Sequence, residues 1–401
     1  MYLPLLLFLE LGSHNVLGVG TGCLLVRFLR FRCESYFRCG SVLFDVKPKV
    51  RKADLFDFDE EFNRLFRLIT NSLTRLIIVR GLRRTGKTSL ILTVLNELGV
   101  PYVFIDVREV VRSRRGLYEV LSRALSDFLR RYSLRRALID SVVKALSSVR
   151  GVGIHGFEVV LNWGRDRPLL SELFREFDRV SGDVGVRLVI VIDEAQRLSG
   201  PVGVEVWNAV AHAYDFLNNL LFILSGSEMG VLGSILSNPE SPLFGRAYAE
   251  VTTRKLNRDE SLEFLRRGFS EVGIEVDEGE LEGVVDGLDG VIGWLTYYGY
   301  SRSVGGRDLD SIISDAVGMA RQELENFIRL RASRRYRVVL RLLALDVREW
   351  GLLKRRLEDY EGSRISDRVL HDILTTLKRH SIIDENLEFT DPVIRETARE
   401  L

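Results

Sequence analysis

The sequence predicts an α/β fold, a parallel sheet with helices on its faces, followed by an all-helical segment and a small helical end. Three stretches predict it. The apolar run Leu76 to Val79 enters a glycine-bounded loop and then the amphipathic run Ser89 to Leu98, in the order strand, loop, helix. The branched run Leu188-Val189-Ile190-Val191-Ile192 closes on Asp193 and Glu194, as a parallel strand does when it is buried on both faces and ends at the carboxyl edge of its sheet. A further run, Leu220 to Leu224, ends in Ser225-Gly226-Ser227.

With 401 residues, 46% of them hydrophobic, the chain can build two or three domains. Its formal net charge of +1 excludes a global field for nucleic acid or membrane, so any such surface must be a local patch. The first forty residues differ from the rest. Glu10 interrupts Tyr2 to Leu9, and Arg27 and Arg30 fall within Leu24 to Phe31, so neither run approaches the roughly 18 uncharged residues of a membrane span. No basic start precedes the Leu-rich run, which argues against a secretory signal. Cys23, Cys33 and Cys39 match no zinc or redox spacing. Residues 1–40 therefore read as a poorly defined extension or an overextended translation start, and the expected location is cytoplasmic with no membrane partner.

From Phe44 onward each element has a reason. Leu55, Phe58, Phe62, Leu65 and Phe66 recur at helical spacing, which predicts a helix over Asp54 to Arg67, beside the base of any nucleotide held by the following loop. That loop is Gly81-Leu82-Arg83-Arg84-Thr85-Gly86-Lys87-Thr88, a glycine, four free positions and Gly-Lys-Thr between strand and helix, the phosphate-binding pattern in its required context. Glycines let consecutive N–H groups converge on phosphate oxygens at a helix N-terminus, whose partial positive charge adds to the attraction. Gly81 to Ser89 are the nucleotide-binding candidates, with Lys87 reaching the β and γ phosphates and Thr88 ligating magnesium. The helix ends at Gly99 before Pro101, and Tyr102 to Asp106 is a buried strand. Arg108 to Ser148 reads as helical, and Gly151 to Trp163 as a hairpin. Its Gly151-Val152-Gly153-Ile154-His155-Gly156 resembles a dinucleotide fingerprint only superficially, since no βαβ strand precedes it, and His155 reads as a solvated turn residue.

Asp193 is the second magnesium candidate, and Glu194 the group that polarises the water attacking the γ phosphate. Ser225 is a candidate sensor of that phosphate. Ser241-Pro242-Leu243-Phe244-Gly245-Arg246 precedes a strand over Ala249 to Thr253, and three roles are open to Arg246: the γ phosphate of its own site, that of a neighbour, or an acid partner. The catalytic candidates are thus Glu194, Lys87, Ser225 and Arg246, and the implied ligands are ATP or ADP with Mg2+.

Taken together, Gly-Leu-Arg-Arg-Thr-Gly-Lys-Thr-Ser-Leu, Val-Ile-Asp-Glu-Ala-Gln, Ser-Gly-Ser and Ser-Pro-Leu-Phe-Gly-Arg resemble the archaeal ATPase family, within the signalling ATPases with numerous domains. The resemblance runs from about Phe44 to the C-terminus. It implies a P-loop fold of the additional-strand, catalytic-glutamate class, a helical lid, a C-terminal winged helix and magnesium-dependent ATP binding. Signalling relatives often carry Gly-x-Pro in the lid, whereas Gly290-Val291-Ile292-Gly293-Trp294-Leu295 has no proline.

Asn257 and Glu260 form a capping box at the start of the lid, helices follow over Glu278 to Leu288 and through Trp294 to Tyr298, and Arg302 is a second sensor candidate. Tyr336 to Leu345, Trp350 to Leu357 and Asp367 to His380 read as three helices, and Ile382 to Phe389 as a hairpin, which is the order of a winged helix. Between Arg329 and Arg356 ten basic residues stand against Asp346 and Glu349, a local charge of +8 that suits a duplex backbone. The expected division is 1–40 extension, 41–255 ATPase core, 256–328 lid and 329–401 winged helix. The leading function is an ATPase acting as a nucleotide-driven switch, with DNA or a protein as the partner of the winged helix. A non-catalytic nucleotide-dependent scaffold is the alternative, and a small-molecule kinase is disfavoured by an Asp-Glu pair placed to activate water. No feature of the sequence sets an oligomeric state.

Overall fold

The apolar runs become β1 (Leu76–Arg80), β2 (Tyr102–Asp106), β3 (Val152–His155), β4 (Glu158–Leu161), β5 (Leu188–Asp193), β6 (Leu220–Gly226) and β7 (Ala249–Thr252). Five of them form one parallel sheet in the order β2-β5-β6-β1-β7, and β3 and β4 form a separate antiparallel ribbon. This computed structural model describes residues 43–108, 113–331 and 333–401; the extension over 1–40 and its three cysteines lie outside them. Every residue of β5 and β6 is buried, as expected of interior strands with helices on both faces.

The helices are α1 (Asp59–Thr70), α2 (Lys87–Leu98), α3 (Arg114–Arg131), α4 (Arg136–Ser147), α5 (Leu170–Val184), α6 (Gly200–Phe216) and α7 (Met229–Ser237) around the sheet. The lid is α8 (Arg258–Val272), α9 (Glu278–Leu288) and α10 (Ile292–Gly305). A 22-residue helix, α11 (Leu309–Leu330), leads into α12 (Arg335–Ala344), α13 (Trp350–Glu361), α14 (Asp367–Arg379) and α15 (Pro392–Arg399). α11 ties two cores together, because Ile312, Ala316 and Ala320 pack with the lid while Leu324 and Ile328 pack with α12 to α14. The capping box at Asn257 and Glu260 forms as its sequence predicts.

Three stretches differ from their expected form. α1 begins at Asp59, not Asp54, because Asp57 takes a φ of 50°, which an α-helix cannot contain, and residues 52–54 make a separate 3-10 turn. Of the stretch from Arg108 to Ser148, the described residues 113–148 carry two helices, α3 and α4. Between them Tyr132 turns its hydroxyl back onto the backbone of β2, accepting from Tyr102 N at 3.2 Å, and that tertiary contact breaks the helix. The hairpin over Ile382 to Phe389 shrinks to a single bridge, Ile383 to Phe389, flanked by the backbone bonds of Asp384 N to Glu388 O at 2.8 Å and Thr390 N to Ile382 O at 3.1 Å, while the Asp384 carboxylate closes the turn by taking the N–H groups of Asn386 and Glu388 at 2.8 Å each. Among the described residues no helix is long and apolar enough to cross a membrane.

Candidate nucleotide site

β1 delivers the phosphate loop to the carboxyl edge of the sheet, and α2 starts at Lys87. Gly81, at a φ of 155°, packs so closely on Thr253, the residue after β7, that a Cβ would collide with its hydroxyl and carbonyl oxygens. Thr85 braces the loop from inside, its hydroxyl 2.7 Å from both Leu82 O and Thr253 Oγ1. Lys87 is buried and donates to Gly81 O at 3.0 Å and Leu82 O at 2.6 Å. Ser89, one turn on, accepts from Lys49 N at 3.1 Å, which fastens the chain before α1 to the loop helix.

β5 and β6 bring the second half of the site. Thr88 Oγ1 donates to Asp193 Oδ2 at 2.8 Å, joining residues 105 positions apart. Asp193 is 1% exposed, and burial pushes its pKa up against the hydrogen bonds of Ser225 and Thr88. A buried carboxylate and an adjacent hydroxyl are hard oxygen donors, the set a magnesium ion selects, and a cation would relieve the cost of that buried charge. Glu194 follows at a φ of 57°, with Gln196 Nε2 at 2.5 Å and Ser227 Oγ at 3.1 Å from its Oε2. Ser225, the expected sensor, instead gives its hydroxyl to Asp193 Oδ1, so it positions the carboxylate.

Two other sensor candidates are engaged elsewhere. Arg246 pairs with Asp215, Nε to Oδ1 at 3.1 Å and Nη2 to Oδ2 at 2.5 Å, and also donates to Pro242 O; of its open roles this is the acid partner. Arg302 belongs to the interior of the lid, Nε 2.9 Å from Glu280 Oε1, rather than to the loop. What reaches the loop from beyond the core is Glu323 of α11. It pairs with Arg83 at 2.6 Å and Arg84 at 2.7 Å, while the Arg84 guanidinium lies 4.0 Å over the ring of Trp294. The Arg84 carbonyl accepts from Gly293 N at 2.9 Å, so the lid segment that lacks proline grips the loop through backbone. Trp294 Nε1 in turn donates to Asp391 Oδ2 at 2.9 Å, and Asp391 caps α15.

Nothing in the sequence marks Glu323, which is 239 residues from Arg84. Ser227 was open to detection. It is two residues past Ser225, the same-face spacing of a strand, at the edge where Glu194 stands.

Beside Gly86 and Ser89 opens a cleft of about 350 Å³ lined by Pro48, Phe56, Phe58, Ile292 and Tyr297. Its walls come from the chain before α1 and from α10, and their apolar rings have the chemistry to receive a purine base.

Residues 55–297 match a family described as an ATPase domain predominantly from Archaea, well over half of the chain. The chain belongs to this archaeal ATPase family. Residues 330–388 match the C-terminal winged helix-turn-helix domain of MCM proteins. Over 89% of this chain and 99% of the other, the family member is 34% identical to the Walker-type ATPase PABY2304 of Pyrococcus abyssi, with a TM-score of 0.74. The ORC2 protein of Aeropyrum pernix, in its ADPNP and ADP complexes, shares the fold at a TM-score of 0.58 and 16% identity, over 89% of this chain and 95% of that one. No curated protein matches the sequence. The fold is thus a P-loop ATPase core with a parallel sheet, and the chain carries a winged helix at its end.

Lys87 carries a pH signature. Burial lowers its pKa from 10.5 to about 8, against the pull of Glu194 and Asp193. Because the folded value lies below the unfolded one, burial costs stability at every pH below about 8, and the cost fades as pH rises from 8 to 10.5. Phosphates beside the amine would raise it again. ATP binding at about pH 8.5 is therefore expected to take up protons, with affinity falling as pH climbs through 8, whereas binding near pH 6.5 takes up none at Lys87. Calorimetry in two buffers of different ionisation enthalpy reads the uptake, and equal enthalpies at pH 8.5 refute it.

Proposed function

We propose that the protein binds ATP with Mg2+, hydrolyses it, and uses the cycle to shift lid and winged helix against the core. The observation that carries this reading is the 2.8 Å bond between Thr88 and Asp193, which brings the phosphate loop and the acidic strand end together beside Lys87 and Glu194. Gly81 to Ser89 hold the phosphates, Thr88 and Asp193 hold the metal, and Glu194 polarises the attacking water. Held by Thr88 and Asp193, the metal would supply positive charge against the phosphates. Arg83 and Arg84 support the switch. Both are loop residues tied to Glu323, and phosphate oxygens would compete for those guanidiniums, loosening α11 and the winged helix that follows it. The proposed division is a core over 41–255, a lid over 256–328 and a winged helix over 329–401; the lid's hydrophobic cluster also takes in Leu43, Phe44 and Val393, and that of the winged helix Leu324 and Ile328. Release of phosphate from ATP by the purified protein, present with Mg2+ and absent with chelator, tests the assignment. A non-catalytic scaffold remains the second reading, favoured by the hydrogen bonds that occupy Glu194.

The winged helix is the proposed output, onto the backbone of duplex DNA. Three residues of the basic segment are neutralised by partners: Arg335 by Glu361, Arg348 by Glu388 and Asp346, and Lys354 by Asp367. Arg334, Arg341, Arg355 and Arg356 are among those exposed to solvent. Changing these four to Glu is expected to lower affinity for a fluorescent duplex at low salt by about tenfold or more and to flatten the salt dependence, since each lost phosphate contact removes roughly 0.9 from the slope. Equal binding by parent and variant would leave a protein as the partner.

A further inference from the structure

We propose that the winged helix restrains Glu194 through the two consecutive residues Ser227 and Glu228, so that undocking of α14 accelerates hydrolysis. The inference rests on the reading of Glu194 as the group that polarises water.

The restraint begins at Glu194 itself. One carboxylate oxygen takes two donors, Gln196 Nε2 at 2.5 Å and Ser227 Oγ at 3.1 Å, which holds the side chain toward the end of β6. Gln196 is 6% exposed, and its other amide atom, Oε1, is buried without a partner, so the amide is held by Glu194 and by Ser227, whose Oγ is 3.4 Å from Nε2. Ser227 and Gln196 are positioning residues. They touch the carboxylate, not the nucleotide.

The next residue leaves the core. Glu228 Oε2 lies 2.7 Å from Nδ1 of His380, the residue that ends α14. Burial pushes Glu228 up, but the hydrogen bond from His380 and the charges of Arg197 and Arg83 outweigh it and hold the carboxyl below its ordinary range. The far side of the imidazole is fixed as well: Arg331 Nη2 stands 2.6 Å from His380 Nε2, and Phe327 of α11 meets the ring edge-on with centroids 5.2 Å apart. Two backbone features complete the dock. Met229 N donates to Ser381 Oγ at 3.0 Å, and a Cβ on Gly230 would come within 2.6 Å of Arg379 Cα, so the first turn of α7 and the end of α14 meet with no side chain between them.

Glu194 and the winged helix are therefore two residues apart along a segment anchored at both ends. If α14 swings away, Glu228 and Met229 lose their partners, the turn after β6 loosens, and Ser227 releases Glu194. The coupling is reciprocal, so a nucleotide state that frees Glu194 also weakens the dock.

Steady-state phosphate release decides the matter. In Glu228→Ala, His380→Ala and Ser227→Ala, kcat is expected to rise about tenfold, the size of one lost hydrogen bond to a charged group, while KM for ATP stays within about twofold. His380→Gln, which keeps a donor toward Glu228, should remain near the parent. Ser227→Ala combined with His380→Ala should be no faster than Ser227→Ala alone, because both act on one restraint. Should His380→Ala fail to fold, Glu228→Ala breaks the same contact from the core side. Parent-like kcat in Glu228→Ala and Ser227→Ala, or additive gains in the double variant, overturns the proposal. Glu194→Gln run in parallel separates the two readings: unchanged turnover there sinks the hydrolytic role of Glu194, whereas its loss alongside parent-like rates in the other variants sinks this inference alone.

Discussion

Lys87→Ala is expected to abolish tight binding of ATP with Mg2+ while the fold survives. In the ligand-free protein the ammonium is satisfied by two loop carbonyls, Gly81 O and Leu82 O, which hold it where converging phosphates would exchange for them. Each charge-assisted hydrogen bond contributes about 1.5–3 kcal/mol, so losing two on the phosphates lowers affinity by roughly a hundredfold or more. Stability should move the other way or not at all. Burial depresses the amine from 10.5 to about 8, which at neutral pH amounts to a penalty on the order of 3 kcal/mol against the folded, ligand-free state. Lys87→Met keeps the volume and removes that charge, so its melting temperature without nucleotide should equal or exceed the parent's at pH 7. Nucleotide affinity by calorimetry unchanged in Lys87→Ala would refute the assignment of the loop.

The loop and the acidic strand end were legible in the sequence because their chemistry is local. Glycine spacing, a lysine and a hydroxyl at a strand-to-helix junction leave few other folds, and a branched run ending in two acids belongs at the carboxyl edge of a sheet. Even the Thr88 to Asp193 bond was foreseeable, since one metal needs both. Residues whose roles depend on a distant partner were not legible. Ser225 has the right position and polarity for a phosphate sensor, yet its hydroxyl is consumed by Asp193 on the neighbouring strand. Arg246 and Arg302 could each reach a phosphate by sequence alone, but Asp215 and Glu280 stand nearer. Glu323 has no local mark whatever, because α11 meets the loop only through tertiary packing, 239 residues from Arg84. The helices α5, α6, α7, α11 and α15 went unread for a related reason: they carry no local motif, and tertiary packing sets their limits.

Glu194→Gln is expected to retain ATP and lose most of its turnover. The substitution preserves length and shape, and it leaves Lys87, Thr88 and Asp193 untouched, so the affinity for ATP with Mg2+ should stay within a few-fold of the parent's. What disappears is the negative charge that polarises water, a contribution of roughly 10² to 10⁴ in rate for a positioned general base. Asp193→Asn offers the contrast. It removes the charged oxygen donor proposed for the metal, so it should weaken dependence on Mg2+ and binding together, whereas Glu194→Gln separates binding from hydrolysis. A ligand-retaining, turnover-deficient protein would also hold whatever partner the ATP state prefers, and capture with it would report that partner. If single-turnover phosphate release were the same in Glu194→Gln and parent, the side chain would serve only to cap the turn after β5. The protein would then be a nucleotide-dependent scaffold, held in one state by binding alone.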